Sequence, residues 1–174
     1  MREHYALVGV ECTREICGLA VIVAGIAYAG EMTAFPATEA EIDEFIAAFE
    51  AGTLPKIRWT HSAHLLTGAC YVYVLGQAAA IDKMRMCVRR YNEAVGGQNT
   101  ETSGYHETIT VAWIKLLDGL LRRSMPIERA EFAALAVAEF AGQREIFKRH
   151  YDFDLVGSRE ARLGWVEPTL EPLD

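Results

Sequence analysis

The chain has 174 residues, 51% of them apolar, with 24 acidic against 17 basic side chains and a net charge of −7. That length and apolar content suit one globular domain with a real core. The acidic balance and scattered basic residues exclude a protein whose main business is gripping a nucleic-acid backbone, and favour a small neutral or cationic partner.

Ile16 to Gly30 is an almost unbroken apolar run following Arg14 and Glu15. A bilayer-spanning helix needs about 20 apolar residues, so no stable membrane insertion is expected. Three readings of residues 1–31 stand: an extension ahead of a natural start at Met32, a secretory signal with Ala27-Tyr28-Ala29 as its small-residue cleavage site, or a packed element. A cytoplasmic protein is expected, or an exported one if the signal is real. Cys12, Cys17, Cys70 and Cys87 lack CxxC spacing and read as reduced, structural thiols.

From Thr38 the periodicity is helical, and the expected fold class is all-α: a single-domain bundle of five or six helices with an extended C-terminal tail. Thr38 and Glu41 form a capping box ahead of an apolar stripe at Ile42, Phe45, Ile46 and Phe49, and this helix runs to Ala51. Gly52 and Pro55 break the chain. Thr60 caps a second helix, His61 to Leu75, which Gly76 ends or kinks. A third runs from Ala78 to Val95, with Ile81, Met84, Val88, Tyr91 and Val95 on one face, and stops at Gly96-Gly97. A fourth begins near Tyr105 and reaches Arg123; its broad apolar face predicts a central position. Pro126 opens a fifth to Phe140, and Gly142 separates it from a shorter one ending near Tyr151. The tail, with Trp165, Pro168 and Pro172, reads as extended.

Short links place consecutive helices antiparallel, so the second and fourth run parallel with their N-termini at one end of the bundle. That brings His61 and His64 toward His106 and Glu107, and the end of the third helix with the loop at Asn99-Thr100 arrives there too. Residues three apart on a helix share a side, so His61 and His64 can hold one ion, with His106 as a third nitrogen. Three ligands with an open position describe a catalytic centre, and a divalent metal, zinc or iron, is the expected cofactor. Glu107 is the expected general acid/base or fourth ligand, and Arg90 the clamp for a substrate carboxylate, with an ion pair to Glu93 or Glu107 as its structural alternative. Trp59, Tyr91, Asn92, Asn99, Thr100 and Tyr105 complete the expected substrate-binding set. Trp59 and Tyr105 are equally ordinary core residues, and Asn92 and Asn99 equally loop fixers. His150 is placed near an exposed helix end and His4 in the leader, both without a role.

The strings Trp59-Thr60-His61-Ser62-Ala63-His64-Leu65, Arg90-Tyr91-Asn92-Glu93-Ala94, Asn99-Thr100, Ser103-Gly104-Tyr105-His106-Glu107-Thr108-Ile109-Thr110 and Ser158-Arg159-Glu160-Ala161-Arg162-Leu163-Gly164-Trp165-Val166-Glu167-Pro168 resemble a family of small uncharacterised bacterial proteins. The resemblance covers about Phe45 to Leu173 and departs where Thr169, rather than an acidic residue, follows Pro168. It implies no named activity. In architecture alone the chain is similar to the DinB-like helical bundles, which hold a metal near one end, although those lack an early i, i+3 histidine pair. The expected function is thus a metal-dependent enzyme of hydrolase or lyase type acting on a small polar molecule, with iron-dependent oxidation also open. The runner-up is a non-catalytic small-molecule or anion-binding module, and the third an interaction protein whose polar clusters only cap helices. The oligomeric state stays open, a homodimer included.

Overall fold

The computed structural model describes residues 35–125 and 128–173. Expectations for the N-terminal run, His4, Cys12, Cys17 and Pro126 lie outside the described residues. The fold is all-helical, a bundle built from α1 (Glu39–Ala51), α2 (His61–Leu75), α3 (Gln77–Ala94), α4 (Glu107–Arg123), α5 (Arg129–Phe140) and the short α6 (Arg159–Leu163), with 3-10 turns at Lys56–Arg58 and Ile146–Arg149. Among the described residues no helix is long and apolar enough to cross a membrane.

The starts and stops follow the local chemistry. At α1 both halves of the capping box form: the Glu41 N–H donates to the Thr38 hydroxyl at 3.3 Å, and the Glu41 carboxylate accepts from the Thr38 N–H at 3.0 Å. Such a cap contributes about 1 kcal/mol. Ile42, Phe45 and Phe49 then face the core. Thr60 caps α2 through the Ala63 N–H. Gly76, at φ 75°, is a full break between α2 and α3 rather than a kink, because that backbone conformation is open to glycine and costly to other residues.

The most enclosed helix is α2, not α4, with every residue from Leu65 to Val72 buried. It packs against α3, α4 and α5. A helix that is apolar all round needs neighbours on every side, whereas α4 keeps a polar edge with Lys115, Asp118 and Arg122. Directions follow from paired residues. His61 meets Trp113, and Gly68 lies under Ile114 and Leu117, so α2 and α4 run parallel. Gln77 reaches Asp118 while Arg85 reaches Glu107, so α3 runs against α4.

The tail is less extended than its prolines suggest. α6 interrupts it, the Thr169 and Leu170 N–H groups donate to the His150 carbonyl, the Tyr151 hydroxyl donates to the Val166 carbonyl, and Leu173 is buried. His150 itself is buried, its Nδ1 donating to the Glu171 carbonyl at 2.9 Å. The exposed helix end expected beside Lys148-Arg149 is instead covered by the returning tail.

Candidate functional site

The parallel arrangement of α2 and α4 holds, yet the two histidine clusters stay apart. His61 pairs with Trp113 at 5.2 Å between ring centroids, six residues beyond the start of α4. At the helical rise of about 1.5 Å per residue, α4 overshoots α2 by about 9 Å. Among the described residues no three His, Cys, Asp or Glu side chains are grouped so as to hold a metal ion.

The start of α4 is instead a structural lock. His106 is the N-cap: its Nδ1 accepts the Ile109 N–H at 3.3 Å, and its Nε2–H donates to the Leu155 carbonyl at 3.0 Å. Both ring nitrogens are occupied, so the ligand role expected of His106 is corrected to a backbone clamp. Glu107 is not open to substrate either. Arg85 Nε lies 3.2 and 3.1 Å from its two oxygens, and the Tyr105 hydroxyl donates at 2.9 Å. Burial alone would push this carboxyl up, but Arg85 and Tyr105 hold it below its ordinary value. The next residue, Thr108, is fully buried; its hydroxyl donates to the Gly164 carbonyl at 2.7 Å and accepts the Val166 N–H at 3.0 Å. Arg162 answers from α6 with hydrogen bonds to the Gly104, Tyr105 and Val156 carbonyls. The string around His106 and the string around Arg162 therefore belong together because each satisfies the other's backbone.

The remaining expected residues divide between core and loop. Arg90 is exposed and pairs with neither Glu93 nor Glu107; Arg85 takes that place, one turn and a little nearer the start of α3. Tyr91 is a core residue whose hydroxyl donates to the Leu54 carbonyl at 3.0 Å. Trp59 stacks on Phe49 at 3.9 Å and meets the His64 ring at a tilt, 4.1 Å between centroids. Asn99 is a loop hub: its amide donates to the Arg89 carbonyl and to Glu93, and its oxygen accepts from Asn92 and from the Tyr105 N–H. Thr100 accepts the Thr102 and Ser103 N–H groups. Asn92 and Asn99 thus fix the loop, and Asn99 also lines a cavity beside it.

His61 and His64 do share a site. With Gly68 they lie at i, i+3 and i+7 on one stripe of α2, and they line a cavity of about 310 Å³ with Met84 of α3 and Ile109, Thr110, Trp113, Ile114 and Leu117 of α4. Nδ1–H of His64 donates to the Thr60 carbonyl at 2.8 Å, which leaves Nε2 as an acceptor lone pair. Burial drives the His64 imidazolium down to about 4, so the ring is neutral at physiological pH. His61 is also lowered, first by burial and then by the Arg144 charge, against the pull of the Phe140 carbonyl. Its Nε2 is buried with no hydrogen-bond partner among the described residues. A neutral His64 imidazole at the wall of an apolar chamber can accept a hydrogen bond from a bound molecule through Nε2.

Gly68 and Trp113 line the site although neither belongs to the expected set. A signal for Gly68 existed, since a mid-helix glycine on the histidine stripe removes a side chain where one would otherwise fill the bundle: a Cβ there would meet Leu117 Cδ1 at 2.9 Å. No family model, no curated protein and no solved structure matches the chain.

Proposed function

We propose that the chamber between α2, α3 and α4 binds a small, largely apolar molecule carrying one hydrogen-bond donor, received by the neutral imidazole of His64. The observation that carries this is the free Nε2 acceptor of His64, whose Nδ1–H is spent on the Thr60 carbonyl, in a residue that lines a cavity whose other walls are mostly hydrocarbon and indole. A hydrogen bond from the ligand to that acceptor is worth about 0.5–1.5 kcal/mol. A volume of about 310 Å³ is at the small end of ligand sites and exceeds the roughly 150 Å³ that takes up benzene. The apolar walls turn the expected small polar ligand into an apolar one with a polar handle.

A metal-dependent hydrolase or lyase is the second reading, favoured by one feature: His61 and His64 line the same chamber three residues apart. It retains these two as protein ligands and requires the bound molecule or water to complete the coordination.

The test is titration of phenol and of toluene, followed by tryptophan fluorescence, since Trp113 lines the chamber. Phenol is expected to bind about tenfold tighter than toluene, as one hydrogen bond to an otherwise unmet acceptor predicts. Gly68→Leu is expected to abolish both while the far-ultraviolet circular dichroism is kept. Equal affinity for the two, or binding untouched by Gly68→Leu, overturns the chamber as a donor-selective site. Zinc held at one equivalent by the unmodified chain and lost in His64→Ala would move the assignment to the second reading.

A further inference from the structure

A second cavity, of about 230 Å³, lies where the end of α3 meets the Asn99–Tyr105 loop and α6, and its wall includes Arg89, Thr100, Glu101, Tyr105 and Arg162. Its one acidic member, Glu101, is already held by Arg159. Arg89 and Arg162 take part in no ion pair among the described residues, although Glu101 lines the same cavity and the Arg89 charge acts on Glu107. This is a local departure from the chain's net charge of −7.

The donors are also held in position. The Arg89 guanidinium lies over the Tyr105 ring at 4.5 Å from its centroid, and Tyr105 is itself fixed by Glu107. Arg162 is anchored by the carbonyls of Gly104, Tyr105 and Val156, which leaves part of its N–H fork without an acceptor. Thr100 accepts two backbone N–H groups through its oxygen, so its O–H remains a donor. Preorganised donors cost little further side-chain entropy when an anion arrives.

We propose that this cavity binds the phosphate group of a small molecule between Arg89 and Arg162, with the Thr100 hydroxyl as a third donor. Two full positive charges match a dianion. Donors arriving from three elements, α3, the loop and α6, suit a tetrahedral oxyanion better than a planar carboxylate. The site is independent of the His64 chamber and stands or falls without it.

The experiment is calorimetric titration of inorganic phosphate into the full chain at low ionic strength, repeated with acetate. One saturable phosphate site is expected, with acetate weaker. Arg89→Gln is expected to weaken phosphate at least tenfold and Arg89→Lys to an intermediate degree, because lysine keeps the charge and loses the fork. Arg123→Gln, an exposed arginine of α4 outside the cavity wall, is expected to bind as the unmodified chain does. Phenol binding is expected to be unchanged in Arg89→Gln, which also reports that the fold is intact. Absence of a saturable site, acetate binding as tightly as phosphate, or an unchanged affinity in Arg89→Gln each overturns the proposal.

Discussion

Arg85 and Glu107 face each other across α3 and α4 with the guanidinium Nε within 3.2 Å of both carboxylate oxygens, and this pair closes the wall beside the loop at Tyr105. The Glu107 side chain is 9% exposed and that of Arg85 36%. Removing one partner of such a pair leaves the other charge poorly solvated, discounted here for the open side of Arg85. Glu107→Gln is expected to lower stability by about 2 kcal/mol in urea unfolding, and the Arg85→Gln, Glu107→Gln double variant to lose less than the sum. The same pair sets an acid response. Glu107 is held below its ordinary value of 4.5, so the folded chain takes up this proton later than the unfolded one. Its contribution is complete above that value and drains as pH falls through the folded one. Glu107→Gln should flatten this limb of the stability profile.

His64 titrates in a higher window with the same sign. The unfolded imidazole takes a proton near 6.5 and the buried one only near about 4, so the unfolded chain binds more protons between those values and stability falls as pH is lowered through them. Phenol affinity should fall as the lower value is approached, since protonation removes the Nε2 lone pair. His64→Gln is expected to remove this part of the slope, measured by unfolding at stepped pH; an unchanged slope would place the titration elsewhere.

Thr108 joins α4 to the tail through one hydroxyl that both donates and accepts. Thr108→Val keeps the shape and leaves the Gly164 carbonyl and the Val166 N–H unmet. A loss of about 2 kcal/mol is expected, with faster proteolysis after Arg162 as the tail opens. Thr108→Ser, which keeps the hydroxyl, should restore most of the resistance.

Gly104 sits at φ 78°, and a Cβ added there would lie 2.3 Å from the Gln98 carbonyl oxygen. The obstacle is backbone, which cannot rotate away. Gly104→Ala is expected to cost at least about 2 kcal/mol in thermal unfolding and to weaken phosphate binding, because the loop that carries Thr100 must shift.

By itself the sequence determined what depends on near neighbours. The Thr38–Glu41 box, the Thr60 cap, the Gly76 break and the apolar stripes are interactions between residues a few positions apart, and each is found where its residues stand. The parallel course of α2 and α4 was legible as well, because short links leave little choice of direction. Tertiary structure alone decided the rest. The offset of α4 past α2 depends on which side chains interdigitate, above all Gly68 admitting Leu117 and Ile114, and that offset separates His106 from His61. Which of several arginines reaches Glu107, Arg85 rather than Arg90, is a matter of how α3 is rotated about its axis. The burial of His150 and the clamping of His106 follow from chain that folds back from about twenty and about fifty residues further on respectively, driven by unmet backbone groups whose partners no local pattern could reveal.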